Sequence, residues 1–331
     1  MEQLQETTIQ SVQQEILRIS HFLNDRILGQ RALVSRLLIA LLADGHLLVE
    51  GAPGLAKTRA VKELSALIEG NFHRIQFTPD LLPGDLTGTD VFHPETSTFV
   101  FQPGPVFHHL LLADEINRAP AKVQSALLEA MAERQVTIGG KTYPLPELFL
   151  VMATQNPIEQ EGTYPLPEAQ LDRFLMYVKI GYPDAAIEQD ILALARREAM
   201  DPVQAAPAKI KPLPQRVLFD ARNQVLKVHT SPALEHYLVQ LVVATRNPGM
   251  YSKELARWLR FGASPRATIA LDRCSKAHAW LAGRDYVTPE DIHVIAHDVL
   301  RHRVLLSFEA EAEGISSDDF IDHLLRLVAV P

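Results

Sequence analysis

Apolar residues recur at steps of three and four along the first 23 positions. Ile9, Val12, Ile16, Ile19 and Leu23 fall on one stripe, the spacing of an amphipathic helix with one buried face. The pattern predicts a helix over 1–23, a turn at Asn24-Asp25, then Ile27-Leu28-Gly29-Gln30 and a buried helix rich in Leu and Ala. From residue 46 to about 180 the period changes. Short apolar runs near 46–50, 72–77, 110–113, 149–154 and 174–180 alternate with helical segments. Runs such as Leu110-Leu111-Leu112-Ala113 and Phe149-Leu150-Val151-Met152-Ala153 lack polar alternation. Such strands are covered on both faces, which predicts a parallel sheet inside an α/β domain.

Two stretches break the alternation. Residues 79–107 are rich in Pro and Gly, and Asp90-Val91-Phe92 and Phe99-Val100-Phe101 read as short strands joined by a turn over 94–97. In Val136 to Tyr143, Gly139-Gly140 sits between alternating residues, a two-residue hairpin signal. From about 184 the pattern is helical. Residues 201–216 look like a Pro/Ala-rich connector, and Ser231-Pro232, Ser264-Pro265 and Thr288-Pro289 mark helix starts. In each, a capping hydroxyl precedes a proline suited to the first turn. Thr288 with Asp291 also fits a capping box. The expected organisation is an N-terminal helix over 1–24, an α/β core over 25–183 with inserts near 86–105 and 136–145, and a helical domain over 184–331.

Composition narrows the class. A chain of 331 residues that is 47% hydrophobic suits two globular domains with a substantial core. The net charge of −8 argues against a constitutive nucleic-acid binder. The single cysteine, Cys274, forms no intrachain disulfide, in keeping with a reducing cytosol. The longest apolar run, over 37–43, is too short to span a bilayer. The Glu/Gln-rich start lacks the basic and apolar regions of a signal peptide, so the expected location is cytoplasmic with no membrane span. The scattered histidines, His108-His109 included, read as structural or solvated rather than as a metal site.

The chemistry lies at the strand ends. The strand over 46–50 feeds Gly51-Ala52-Pro53-Gly54-Leu55-Ala56-Lys57-Thr58, a phosphate-binding loop. Glycines let backbone N–H groups close on an anion, and the following helix adds its positive end. Lys57 would reach the β/γ-phosphates and Thr58 would bind Mg²⁺. Ala56 replaces the usual glycine before the lysine, so this position must tolerate a methyl group. The strand over 110–113 ends in Asp114-Glu115. The first acid would hold the Mg²⁺ shell and the second polarise the attacking water; two surface acids are the alternative. Ala153-Thr154-Gln155-Asn156-Pro157 offers an amide, Asn156, for the γ-phosphate or the water, or simply a turn. Arg173, in Leu171-Asp172-Arg173-Phe174, could reach a neighbour's γ-phosphate or pair with Asp172. Arg266 sits at a helix N-terminus, where it opposes the dipole and invites an anionic partner.

This order resembles an AAA+ ATPase. More closely, Asp114-Glu115-Ile116-Asn117-Arg118-Ala119-Pro120, Gln124-Ser125-Ala126-Leu127-Leu128-Glu129-Ala130-Met131, Ala153-Thr154-Gln155-Asn156-Pro157 and the run from Gly162 to Phe174 resemble the MoxR family. The resemblance spans about 25–305, and Ala56 is familiar in it. It implies a P-loop core with a five-stranded parallel sheet and an α-helical lid. Gly51 to Thr58 would be the Walker A loop and Asp114-Glu115 the Walker B pair. Asn156 would be sensor 1, Arg173 the arginine finger in trans, and Arg266 sensor 2 in cis or in trans. Gln30 would lie near the adenine, and Arg118 would face a neighbouring subunit or solvent. ATP and Mg²⁺ are the implied cofactors. The implied assembly is a homo-oligomeric ring, a hexamer, working as a chaperone-like motor on client proteins, with von Willebrand A domain partners. The rivals are a metal-chelatase or nucleic-acid motor and a non-hydrolysing nucleotide switch.

Overall fold

The computed structural model describes residues 2–157, 162–200 and 211–331. It opens with α1 (Glu2–Arg26) and α2 (Arg31–Leu42). The first helix runs past the turn expected at Asn24-Asp25. Asn24 Nδ2 donates to Ser20 O at 2.9 Å and Ile27 N to Leu23 O at 2.8 Å. The apolar stripe carries through the fully buried Leu23 to Ile27, and the chain turns only at Gly29, at φ +78°, where a left-handed backbone favours glycine.

Five strands, β1 (Leu47–Glu50), β2 (Phe72–Gln76), β5 (Leu110–Asp114), β8 (Leu150–Gln155) and β9 (Met176–Lys179), form one sheet in the order β2-β5-β8-β1-β9. Every pairing is parallel. Helices α3 (Lys57–Leu67) and α5 (Ala121–Glu133) are among the crossovers. All five residues of β5 are buried, as are the first five of β8, which explains their unbroken apolar sequence. The expected α/β class with a five-stranded parallel sheet is what the chain forms.

Both interruptions are antiparallel hairpins. β3 (Gly88–His93) pairs with β4 (Thr98–Pro103), and β6 (Gln135–Ile138) with β7 (Lys141–Pro144). The two lean on each other: the Phe101 and Tyr143 rings stack with centroids 4.0 Å apart. Between β2 and β3 lies the short helix α4 (Pro83–Thr87), and before β9 the short helix α6 (Glu168–Leu171).

After β9 come α7 (Ala185–Met200), α8 (Gln215–Leu226), α9 (Pro232–Ala244), α10 (Lys253–Trp258), α11 (Pro265–Leu281), α12 (Pro289–Leu300), α13 (Phe308–Ala312) and α14 (Ser317–Leu327). The Ser231 and Ser264 side chains cap their helices, and Thr288 with Asp291 forms the expected capping box. Of the connector expected over 201–216, residues 201–210 lie outside the described residues, and Gln215 already opens α8. The region is not purely helical: β10 (Leu259–Phe261) pairs antiparallel with β11 (Leu305–Leu306). Runs of two and three residues are too short to carry a visible alternation. One apolar core joins α1, α2, one sheet face and the helices after 215, and a second fills the opposite face beneath α5.

Candidate active site

The carboxyl ends of β1, β5 and β8 converge, as in open α/β sheets where ligands bind beyond the strand ends. From β1 the chain enters the loop 51–58 and then α3. Gly51 is required by contact: a Cβ there would lie 2.4 Å from the Ile180 side chain. At Gly54, φ is +85° and no atom stands within 4 Å of where a Cβ would point, so the loop is open toward the cavity. Ala56 is left-handed, at φ 59° and ψ 17°. The position before the lysine therefore demands the conformation glycine adopts freely, and Ala56 holds it at a cost of about 1–2 kcal/mol.

Lys57 Nζ donates to Gly51 O at 2.5 Å and to Gln155 O at 3.5 Å. Partial burial lowers its pKa, opposed by Asp114, Glu115 and Glu50. Lys57, Thr58, Asp114, Glu115 and Asn156 line one cavity of about 400 Å³ together with Pro53, Gly54, Leu55 and Ala56. Five polar groups from three separated segments of the chain thus meet in one place.

Both acids are held. Asp114 Oδ1 accepts from Thr154 Oγ1 at 2.5 Å, and that oxygen in turn accepts from Glu115 N at 2.9 Å. Arg74 donates to Asp114 Oδ2 through Nε at 3.0 Å and Nη2 at 2.7 Å. Glu115 is left-handed at φ 56°, another strained residue at the site. Its Oε2 accepts from Gln76 Nε2 at 2.7 Å and from Arg118 Nη1 at 3.2 Å. Arg118 therefore contacts the site of its own chain. Arg74, Gln76 and Thr154 escaped the sequence reading. The available signal was polarity inside strands: Arg74 and Gln76 alternate with Ile75, and Thr154 interrupts an apolar run.

Beside the loop, Ile27, Leu28, Gln30, Leu55, Pro183 and Leu194 help line a smaller, largely apolar cavity of about 130 Å³. Gln30 is buried and donates through Nε2 to Gly181 O at 3.1 Å. Arg59, on α3, pairs with Glu198 of α7 across this cavity's rim, at 2.5 and 3.2 Å.

Arg173 and Arg266 stand elsewhere. Both line a third cavity of about 370 Å³, which the phosphate loop does not share. Arg173 does not pair with Asp172: its Nη1 donates to Leu128 O at 2.6 Å. Asp172 instead accepts from Arg303 Nε at 2.8 Å and Ser264 Oγ at 2.8 Å, and Arg266 Nη1 lies 3.9 Å from it.

The donor set fits a metal–nucleotide. A hydroxyl and a carboxylate, Thr58 and Asp114, are the hard oxygen ligands Mg²⁺ takes alongside phosphate and water, and a guanidinium already stands on the carboxylate as a stand-in cation. The open loop at Gly54 leaves room for phosphates, and the apolar cavity beside it suits a flat base.

Residues 46–176 match the model of the ATPase family associated with various cellular activities (AAA), and residues 255–324 that of the AAA lid domain. The chain is 48% identical over 306 residues to the chaperone MoxR1 of Mycobacterium tuberculosis, covering 92% of this chain and 79% of that one. It is 34% identical over 324 residues to the protein MoxR of Paracoccus denitrificans, covering 93% and 94%. A crystal structure presented as a candidate ATPase of Cytophaga hutchinsonii superposes with a TM-score of 0.90 at 45% identity, over 99% of this chain and 98% of that one.

Proposed function

This chain belongs to the MoxR family of AAA ATPases, and from that premise we propose that it is the Mg²⁺-dependent subunit of a homo-oligomeric ring, a hexamer, whose ATP sits between neighbours. It is a chaperone-like ATPase by kinship. The observation that carries the shared-site reading is the division of the charged groups. Lys57, Thr58, Asp114, Glu115 and Asn156 line one cavity, and Arg173 and Arg266 line another. A single chain thus gathers these five side chains at one place and two arginines at a second, which favours service of both arginines to a neighbour's nucleotide.

In this reading the N–H groups of 51–58 cradle the phosphates and Lys57 leaves its carbonyl partners to bridge the β- and γ-phosphates. Thr58 and Asp114 would hold Mg²⁺, which neutralises charge on the phosphoryl oxygens when bound. Glu115 takes the proton of the attacking water, Asn156 orients it, and Arg173 of the adjacent subunit stabilises the charge that develops on transfer. Gln30 and the apolar walls around it receive the adenine. Turnover would shift the helical domain against the core and move the paired hairpins β3–β4 and β6–β7 against client proteins, with a von Willebrand A domain protein as partner.

The test is a mixing experiment. Arg173→Ala subunits keep an intact phosphate loop and Lys57→Ala subunits keep an intact Arg173. Each alone should be inactive, and mixtures should regain part of the Mg²⁺-dependent ATPase activity, with mass in solution rising when ATP is added. Absence of any rescue would overturn the shared site.

A further inference from the structure

Asp114 already carries a cation, and that cation belongs to the protein. Both Arg74 contacts fall on Oδ2, at 2.7 and 3.0 Å, while Oδ1 is taken by Thr154. The two partners differ in freedom. The Asp114 side chain is 12% exposed and the Arg74 side chain 49%, so the carboxylate is fixed while the guanidinium stands at the cavity mouth. Arg74 projects from β2, the edge strand of the sheet, and lines the same cavity as Lys57 and Thr58. Among the described residues its one further acceptor is a neutral amide oxygen, Gln76 Oε1, at 3.0 Å. A half-exposed guanidinium held by one carboxylate and one amide leaves its partner easily. Until it does, its N–H groups cover the oxygen that a metal or a metal-bound water needs.

We propose that Arg74 is a displaceable counter-ion that competes with Mg²⁺ for Asp114, so that the site takes up the metal together with nucleotide phosphates and resists the free ion. A bare divalent ion must evict Arg74 for a single carboxylate. A metal that arrives on a triphosphate brings several oxygen ligands of its own, and the phosphates offer the evicted guanidinium a new anionic partner. Without nucleotide, Arg74 also offsets the repulsion between the adjacent carboxylates Asp114 and Glu115, whose charges both act on Lys57. The proposal rests on the assignment of Asp114 to the Mg²⁺ shell.

The experiment titrates nucleotide-free protein with Mn²⁺ alone and counts free Mn²⁺ by electron paramagnetic resonance. Arg74→Ala should bind Mn²⁺ roughly tenfold more tightly than the wild type, and Arg74→Lys, which keeps a cation but loses the two-pronged contact, should fall between them. The gain should vanish in the double variant Arg74→Ala/Asp114→Asn. Unchanged or weaker Mn²⁺ binding in both single variants would overturn the counter-ion role. A companion titration of Asp114→Asn with Mn²⁺ and ATP separates the two readings. If that substitution leaves metal-dependent ATP binding intact, the Asp114 assignment falls and the proposal with it. If it weakens binding while Arg74→Ala still brings no gain, only the counter-ion role falls.

Discussion

Arg303, buried in the turn after α12, donates through Nε to Asp172 Oδ1 at 2.8 Å and through Nη2 to Phe174 O at 2.6 Å. It therefore holds the chain on both sides of Arg173. Its neighbours extend the grip: Arg301 Nη1 donates to Tyr177 O at 2.7 Å, and His302 Nε2 meets Phe174 O at 3.2 Å. Tyr177 Oη in turn donates to Glu50, the residue before Gly51. Three consecutive residues from the helical region thus fasten the approach to β9, and through Tyr177 that strand touches the start of the phosphate loop. Neither Asp172 nor Arg303 would have been paired from sequence, since 131 positions separate them.

Arg303→Met removes the closest cation and leaves Asp172 with the Ser264 hydroxyl and the more distant Arg266. Breaking a buried ion pair from one side costs about 3–5 kcal/mol, and the partial exposure of Asp172 at 20% brings the expectation to the lower end. Urea unfolding should show that loss. In the protein that remains folded, ATPase turnover should fall further than ATP affinity, because the segment that loosens carries Arg173 and not the phosphate loop. Equal losses in both would argue that Arg303 only stabilises the fold.

Glu115→Gln keeps the shape of the side chain and an acceptor oxygen for Gln76 and Arg118, so nucleotide affinity should hold. What it removes is the base. A positioned general base contributes on the order of 10²–10⁴ in rate, and turnover should drop within that range while a fluorescent ATP analogue still binds. Turnover near the wild-type level would remove Glu115 from the role of base.

The elements that sequence revealed are those whose burial is regular. Continuous apolar runs located β5 and β8, the alternation of short strands with helices located the other three, and Gly139-Gly140 located the hairpin between β6 and β7, because burial on two faces and a two-residue turn each leave a local mark. The end of α1 was misplaced since Asn24 and Asp25 are ordinary turn formers, and only the distant core shows that Ile27 still packs. The phosphate loop and the acids were legible as motifs. Their partners were not: Arg74 and Gln76 act by lying opposite Leu112 and Asp114 in the β2–β5 register, and register is a tertiary fact. For the same reason, sequence offered Asp172 as the partner of Arg173, whereas packing gives Arg173 the carbonyl of Leu128.

Ala56 carries backbone strain at φ 59° that glycine would relieve. Ala56→Gly should lose about 1–2 kcal/mol of strain against about 0.4–1 kcal/mol of added freedom in the unfolded chain. The net expectation is a stabilisation on the order of 0.5 kcal/mol, read as a small rise in melting temperature. Ala56→Val places a β-branched side chain in the same left-handed conformation and should destabilise by about 2 kcal/mol or more. If glycine destabilised and valine did not, the left-handed geometry at the loop would be wrong.

Two buried histidines set an acid limit on stability. His46 accepts from Val151 N through Nδ1 at 3.1 Å, so it is neutral with its proton on Nε2. Burial, reinforced by the charge of Arg134, lowers its pKa from 6.5 to about 4. His302 is pushed well below its ordinary value by burial and by Arg303. A group whose folded pKa is depressed binds its proton in the unfolded chain first. Stability is therefore full above about pH 6.5 and falls as the pH drops toward 4, at about 1.4 kcal/mol per pH unit for each histidine. His46 alone accounts for about 3 kcal/mol across that window. Between pH 6.5 and 5, above the range of ordinary carboxylates, urea unfolding should show a slope of about two protons from His46 and His302, with a smaller addition from His73 and His109, whose values burial also lowers. His46→Gln, whose amide oxygen still accepts from Val151 N, should remove one of them. A slope unchanged by that substitution would mean that His46 is protonated in the folded protein.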